Sequence, residues 1–280
     1  GIYLRQLSGD MILGNITGGS GSLAAVQLRA AGSIYAQSQF TNRTVAHIIG
    51  SSLDLRADGS ISFAGSNFRP LQVQVTGAVT GHAGGDFTLL SPTGSLTIGA
   101  GTEAFNGVTA DGNLAIDASG GSLTLNRPVT AGGTLSLSAN AALILADTAV
   151  ATAANGTLSV SAGSISMGAG SQFNATGKIA IVTAGDAVLG RVSTTLNDTV
   201  HPVIDILAGS GGSIPGNGDT GANLVTVAGA GLKLQAGNAI SLKVDTSWPT
   251  AETNSGGLTI TAVDGLVSSM LKSTLGAVSI

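Results

Sequence analysis

The feature that most constrains this 280-residue sequence is a short apolar alternation that returns about once every twenty residues. Each copy begins with glycine, continues with a small or polar residue, and then alternates apolar with other side chains. Alternation with a period of two residues, bounded by glycine, predicts a short strand with one buried face. Four clear copies begin at Gly112, Gly133, Gly156 and Gly177.

The spacing of these copies predicts that the strands coil around a common axis. The first apolar residues of the four copies follow one another at steps of 21, 23 and 21 residues, and two further apolar series keep a similar spacing. Three short strands per turn, held in phase over four or more turns, predict a three-sided solenoid with continuous inner columns of apolar side chains. The three series are Leu114, Leu135, Leu158 and Ile179; Leu123, Leu143, Ile165 and Ala187; and Val108, Val129, Val150, Phe173 and Val192.

The same rhythm extends towards both ends of the chain. We therefore predict a single all-β segment over residues 1–280, a right-handed parallel β-helix of about eleven coils of ~20–27 residues. The handedness is a prior that the spacing does not supply, and a β-sandwich with regular hairpins is the alternative fold. The supporting pairs are Ile2/Met11, Val26/Ile34, Leu53/Ile61 and Phe87/Leu96 upstream, and Ile204/Ile214, Leu232/Ile240 and Leu258/Leu266 downstream, with a last partial coil at Val278.

Composition excludes several classes of protein. Charged residues make up only 9% of the chain, which is too few for intrinsic disorder, and the 43 glycines do not recur every third residue as in collagen. Polar or small residues interrupt every apolar run, so the sequence predicts no membrane helix. Eleven basic and fifteen acidic residues, without a basic cluster, argue against a nucleic-acid partner. The absence of cysteine excludes disulfides and Cys-ligated zinc.

The coil pattern resembles the repetitive shaft of filamentous-haemagglutinin-type adhesins, which are very large surface proteins of Gram-negative bacteria that use two-partner secretion. The resemblance covers most of the chain and implies an extracellular adhesive or spacer role, an outer-membrane secretion partner and no catalytic residues. The secretion motif Asn-Pro-Asn-Gly of that family is missing, so the resemblance is to the shaft alone. It is carried by Leu114-x-Ile-x-Ala-Ser-Gly-Gly, Val129-Thr-Ala-Gly-Gly-Thr-Leu-Ser-Leu-Ser-Ala and Gly156-Thr-Leu-Ser-Val-Ser-Ala-Gly-Ser-Ile.

Three stretches depart from the rhythm and are predicted to be inserted loops, at residues 66–86, 191–223 and 245–257. Loops that leave a regular solenoid are its usual binding sites. The last one holds the only tryptophan, Trp248, followed by Pro249, and a Trp in an extended loop can stack on a sugar ring or anchor a partner. Together with His201 of the second loop, these residues form the candidate ligand-contact site. The alternative is that Trp248 only covers apolar residues of one coil.

The sequence offers little support for catalysis, a metal or a cofactor. A polysaccharide-cleaving β-helix needs two or three carboxylates on one face, whereas the acidic residues here are mostly isolated. The closest pairs, Asp54/Asp58 and Asp111/Asp117, are interpreted as turn-capping residues. The three histidines are far apart in sequence, and the segment 216–221 is interpreted as a turn rather than a calcium or phosphate loop.

These observations predict a non-enzymatic shaft of a large secreted or surface-displayed adhesin that supports attachment to cells or surfaces. Its expected partners are a receptor or glycan on a host or neighbouring cell and further coils of the same polypeptide at both ends. The competing hypotheses are a polysaccharide-degrading β-helix enzyme, either a lyase or tailspike-like, and a purely structural surface or matrix fibre.

Overall fold

A computed structural model shows that the chain is all-β, with parallel strands stacked as a β-solenoid of about 9 turns. The strand pairings whose register the structure describes are parallel, and one isolated bridge, between Ala100 and Asn106, is antiparallel. No helix in the described part of the chain is long and apolar enough to cross a membrane. The strands group into two compact units, Gly1–Ala141 and Ala142–Ile280. The structure describes residues 1–18, 23–36, 45–63, 70–101, 106–198, 200–219, 223–226, 231–245, 249–253, 258–262, 270–273 and 278–279.

The first unit contains short strands separated by tight corners. They are β1 (Ile2–Gln6), β2 (Met11–Leu13), β3 (Ile16–Thr17), β4 (Ala25–Ala30), β5 (Ile34–Ala36), β6 (Ile48–Gly50), β7 (Ser52–Ala57), β8 (Ile61–Phe63), β9 (Leu71–Val75), β10 (Ala78–Ala83), β11 (Phe87–Leu90), β12 (Leu96–Ile98), β13 (Val108–Ala110), β14 (Leu114–Ala118), β15 (Leu123–Leu125), β16 (Val129–Ala131) and the start of β17 (Leu135–Leu145).

The second unit has the same character. It contains the end of β17, followed by β18 (Val150–Ala153), β19 (Leu158–Met167), β20 (Gln172–Ala175), β21 (Ile179–Thr183), β22 (Ala187–Val188), β23 (Arg191–Thr194), β24 (Pro202–Ala208), β25 (Ile214–Pro215), β26 (Leu224–Val225), β27 (Gly231–Ala236), β28 (Ile240–Asp245), β29 (Pro249–Thr253), β30 (Leu258–Ala262), β31 (Met270–Ser273) and β32 (Val278–Ser279).

Each unit has three sides, because its strands form three parallel series. In the first unit one series runs β1–β4–β7–β10–β13–β16, the next runs β2–β5–β8–β11–β14–β17, and the third includes β3–β6–β9 and β12–β15. In the second unit the series are β18–β20–β23–β26, β19–β21–β24–β27–β29–β31 and β25–β28–β30–β32. The predicted parallel solenoid is therefore confirmed, while its right-handed coiling stays a prediction.

The inner columns follow the predicted stacking at several positions. Leu114 pairs with Leu135 and is buried, and Leu158 pairs with Ile179 in the same way. Since each inner side chain is covered by its register partners, the apolar area buried per coil grows only when coils stack. A coil of this kind cannot be stable alone.

One predicted column position is wrong. We expected Val150 to point inward, but Ala151 takes that place, fully buried and in register with Phe173, while Val150 is half-buried opposite Gln172. Phe173 is also fully buried, and the single methyl group of Ala151 leaves room for its ring.

The apolar pairs found in the sequence do not all share one phase. Phe87, the first member of its pair, is in register with Ile61, the second member of the preceding pair, and Leu258 is likewise in register with Ile240. In both cases a strand within an expected loop, β10 or β29, belongs to the solenoid.

Strands thus occupy much of the three expected loops. The solenoid has about nine turns, against the expected eleven. Strands β9 and β10 lie within 66–86, strands β23, β24 and β25 within 191–223, and β29 within 245–257. The alternation pattern missed one of these strands, β10, because small residues take some of its inner positions. Gly81 is an inner position of β10, where a Cβ atom would lie 2.9 Å from the ring of Phe87.

Side chains at one corner of the first unit bind the backbone of the next coil. The backbone N–H of Ser33 donates to Asp10 Oδ1 over 2.7 Å, and the N–H of Ser60 donates to Ser33 Oγ over 3.0 Å. Because each side chain accepts from the residue stacked upon it, the bonds form a continuous chain that we call the corner ladder. Its members are Asp10, Ser33, Ser60, Asp86, Asn113 and Thr134.

Removing one acceptor from the corner ladder should destabilise the chain. Ser33→Ala leaves the Ser60 N–H without its Oγ acceptor in a part-buried corner, and we expect a loss of about 1 kcal/mol in the free energy of unfolding. Denaturant unfolding followed by circular dichroism measures it. Ser136→Ala, at an exposed position of β17, is the matched control and should change stability by no more than ~0.5 kcal/mol. Equal losses in both variants would contradict the role of the ladder.

Candidate anion-binding site

Three arginines lie on top of one another on the outer face of the first unit. Arg5 of β1 is in register with Arg29 of β4, which is in register with Arg56 of β7. In each strand the arginine follows an inner-column leucine, so the pleat turns all three side chains outwards. We call these residues the arginine ladder. It holds three of the eleven basic residues of the chain.

Stacking like charges in this way has an electrostatic cost. Neighbouring strands lie about 4.8 Å apart, and two unit charges at that distance repel by about 1 kcal/mol in water. Arg29 and Arg56 also interact within the protein, which offsets part of this repulsion. An anion held beside the guanidinium groups would reduce the repulsion that remains.

The arginine ladder lines an open cavity of about 190 Å³ at the corner that follows the first series of strands. Gln6 and Leu7 form one part of its wall, and Asp58 contributes a single carboxylate. Beyond the ladder, the register continues from Arg56 to His82, whose Nδ1 lies 2.9 Å from the hydroxyl of Thr109.

Backbone hydrogen bonds between coils hold residues that line the cavity, because the N–H of Ala31 donates to the carbonyl of Gln6 and the N–H of Asp58 donates to the carbonyl of Ala30, both over 3.1 Å. At the adjoining corner the N–H of Gly32 donates to the carbonyl of Gly9 over 2.8 Å. A Cβ at Gly32 would lie within 2.7 Å of the Gly9 backbone, so only glycine permits this approach. The arginine stems consequently project from a preorganised surface, which lowers the entropy cost of binding.

An aromatic ring lies beside the ladder. The guanidinium carbon of Arg29 is 5.9 Å from the centre of the Tyr3 ring, a distance at which cation–π attraction operates. Tyr3 is 53% exposed, which is unusual for a large aromatic side chain. It presents a flat apolar face next to the charged groups.

Sequence reasoning missed this site because the three arginines are 24 and 27 residues apart. The expectation that the chain has no basic cluster is wrong for the folded protein, since stacking creates a cluster that is absent from any local stretch of sequence. A signal was present in the Leu-Arg dipeptide, which returns at coil spacing as Leu4-Arg5, Leu28-Arg29 and Leu55-Arg56.

The predicted ligand-contact residues are placed only in part. Pro249 begins β29 and is in register with Leu232, two strands away from Ile204 of β24. His201 immediately precedes β24, and Trp248 lies outside the described residues. His201 and Pro249 thus belong to the same side of the second unit, near the starts of their strands, and their role in ligand contact stays a prediction.

A local turn holds His201. Oδ1 of Asp198 accepts the backbone N–H groups of Val200 and His201, and Oδ2 lies 3.2 Å from Nδ1 of His201. The two backbone hydrogen bonds lower the pKa of Asp198. His201 is therefore bound to its own loop, with most of its side chain in solvent.

The described part of the loop that begins at Gly216 is tied to other coils by hydrogen bonds. Asn217 donates through Nδ2 to the carbonyl of Gly168 and to Asp219 Oδ2, both over 2.9 Å. Asp219 Oδ2 also accepts the backbone N–H of Gly170. These hydrogen bonds give the loop a structural role within the second unit.

Three of the isolated aspartates act as corner caps. Asp86, Asp147 and Asp186 accept the backbone N–H of a residue in the next coil, Asn113, Ala169 and Ser213 respectively. The turn-capping interpretation is wrong for Asp54, which lies in the middle of β7 and is buried. Its register partners are Gln27 and Thr80.

The three histidines lie in separate places, at the start of β6, within β10 and before β24. Within the described ranges, no group of three His, Cys, Asp or Glu side chains is arranged to hold a metal ion.

No family model, no curated protein and no solved structure matches this chain. Its function is therefore argued from its own fold and from the chemistry of its exposed residues.

Buried His47 should make the stability of the chain depend on pH. Its Nδ1 accepts the backbone N–H of Gln72 over 3.1 Å, and burial lowers the pKa of the His47 imidazole below its ordinary value. In the unfolded chain His47 binds a proton near pH 6.5, whereas in the folded chain it stays neutral to lower pH. The contribution of neutral His47 to the free energy of unfolding is therefore complete above that pH and is lost as the pH falls.

A His47→Gln variant tests this effect. We expect the free energy of unfolding of the parent chain to fall more steeply between pH 7 and pH 5 than that of the variant, measured by denaturant titration at each pH. His201→Gln is the control, because His201 is exposed. Parallel pH profiles for the parent and His47→Gln would contradict the prediction.

Proposed function

We propose that this chain is a non-catalytic β-helical shaft segment of a large bacterial adhesin, secreted or displayed on the cell surface, that supports attachment to cells or surfaces. The single observation that carries the proposal is the in-register stacking of parallel coils, which is the architecture of extended adhesin shafts such as those of the filamentous-haemagglutinin type. In this role the outer-membrane secretion partner exports the chain, and its function requires no cofactor and no nucleic acid.

The physical basis of a shaft is that each coil stiffens the next. Backbone hydrogen bonds join every strand series along the stacking direction, and the corner ladder adds side-chain bonds in that direction. Repetition of such coils extends a polypeptide with little loss of rigidity. A rigid extension holds binding residues away from the membrane and lets weak contacts combine through avidity.

The proposal includes further coils of the same polypeptide as partners, since a solenoid buries more apolar surface with every coil that stacks on it.

The competing enzyme hypothesis requires convergent carboxylates. Asp86 and Asp186 are engaged as corner caps, which favours a structural role for acidic residues here. A purely structural fibre without a receptor needs no exposed binding site, and the arginine ladder beside Tyr3 favours a protein that binds.

The size and location of the native polypeptide test the proposal. Antiserum against this segment, used on fractionated producer cells, should detect a band of several hundred kDa on the cell surface, because a shaft is built of many coils. Antiserum absorbed with the purified segment is the control. A discrete secreted species of 27.2 kDa would contradict the proposal, and screening of polysaccharide substrates would follow.

A further inference from the structure

We propose that the arginine ladder is a binding site for an acidic polysaccharide whose sugars carry carboxylates, a polyuronate. The inference adds a ligand class to the proposed adhesin and rests on that function only for its biological setting. The binding itself is a property of the first unit and is measurable on the chain alone.

The first argument is the match between guanidinium and carboxylate. Arginine presents its N–H donors in a planar fork that binds both oxygens of a carboxylate. Arg29 and Arg56 also interact within the protein, but a guanidinium has five N–H donors, so an internal partner leaves others for a ligand. Arg5 and Arg56 are exposed, and all three side chains line one cavity.

The second argument is periodicity. The arginines are register partners on consecutive strands, so their stems leave the sheet about 4.8 Å apart along the stacking direction. A linear polyuronate carries its carboxylates at intervals of about one sugar ring. Such a chain, lying parallel to the stacking direction, presents carboxylates within reach of more than one of the long arginine side chains.

The residues around the arginine ladder favour a saccharide of moderate charge density. Tyr3 offers an exposed ring beside Arg29, and Leu7 adds an apolar wall, which suits the C–H faces of sugar rings. Asp58 at the cavity and the net charge of −4 weaken the attraction for a densely charged polymer such as a nucleic acid. A polymer with one carboxylate per sugar fits both conditions.

Binding of the 280-residue chain to immobilised polygalacturonate, measured by biolayer interferometry, tests the inference. We expect binding that weakens as salt is raised to about 0.15 M and beyond, because screening reduces the attraction between exposed charges. Fully methyl-esterified polygalacturonate, which has the same backbone without charge, should not bind. Equal binding to the esterified polymer would overturn the inference.

Variants locate the site. Arg29→Gln should lower the affinity about tenfold, because it removes the central charge-assisted fork. Arg5→Gln is the second variant, since Arg5 is exposed on the edge strand β1 and its loss leaves the fold intact. Arg127→Gln, which removes an exposed arginine elsewhere in the first unit, should change the affinity less than about twofold. Circular dichroism confirms that each variant is folded.

Two outcomes would overturn the inference. One is an equal loss of affinity in Arg127→Gln and the two ladder variants, which would mean that net charge alone drives binding. The other is tighter binding to heparin or single-stranded DNA than to polygalacturonate, which would assign the ladder to a denser polyanion. Neither outcome depends on the size of the native polypeptide, so failure here is distinguishable from failure of the adhesin proposal.

Discussion

The structure depends on one constraint: the backbone of each strand finds its ladder of hydrogen bonds in the neighbouring coils. The strand series in both units are parallel ladders, so a residue in one coil has a fixed partner in the next. Inner columns of Leu, Ile and Val follow from that register, because a side chain that faces inward is covered by its partners above and below. The glycine and small residues at the corners follow too, since the backbones of neighbouring coils approach closely there.

The same register decides what the outer surface can do. A side chain that faces outward is repeated at a spacing of one strand whenever the next coil carries a similar residue. At one corner this repetition produces the corner ladder, whose members run from Asp10 to Thr134. A few residues earlier in each coil it produces the arginine ladder. The arginine ladder points to a function because repetition of charge opposes folding stability, whereas repetition of apolar or hydrogen-bonding groups supports it.

The fold was predicted well where the apolar alternation is strong. The columns through Leu114 and Leu158 follow the expected spacing because large aliphatic residues occupy each inner position. Prediction failed where small residues take those positions. Gly81 and Ala151 carry too little apolar surface to stand out in the sequence, and each is small because a phenylalanine of the core lies beside it. Such pairs are defined by shape between coils, which no local pattern records.

The sequence by itself determined the architecture, because the period of the alternation and the distance between its copies leave a parallel solenoid as the arrangement that buries every apolar run. Only the tertiary structure decided which coils stack in which register. That register joins Arg5, Arg29 and Arg56 into one site, because residues 24 and 27 positions apart become neighbours when two strands pair.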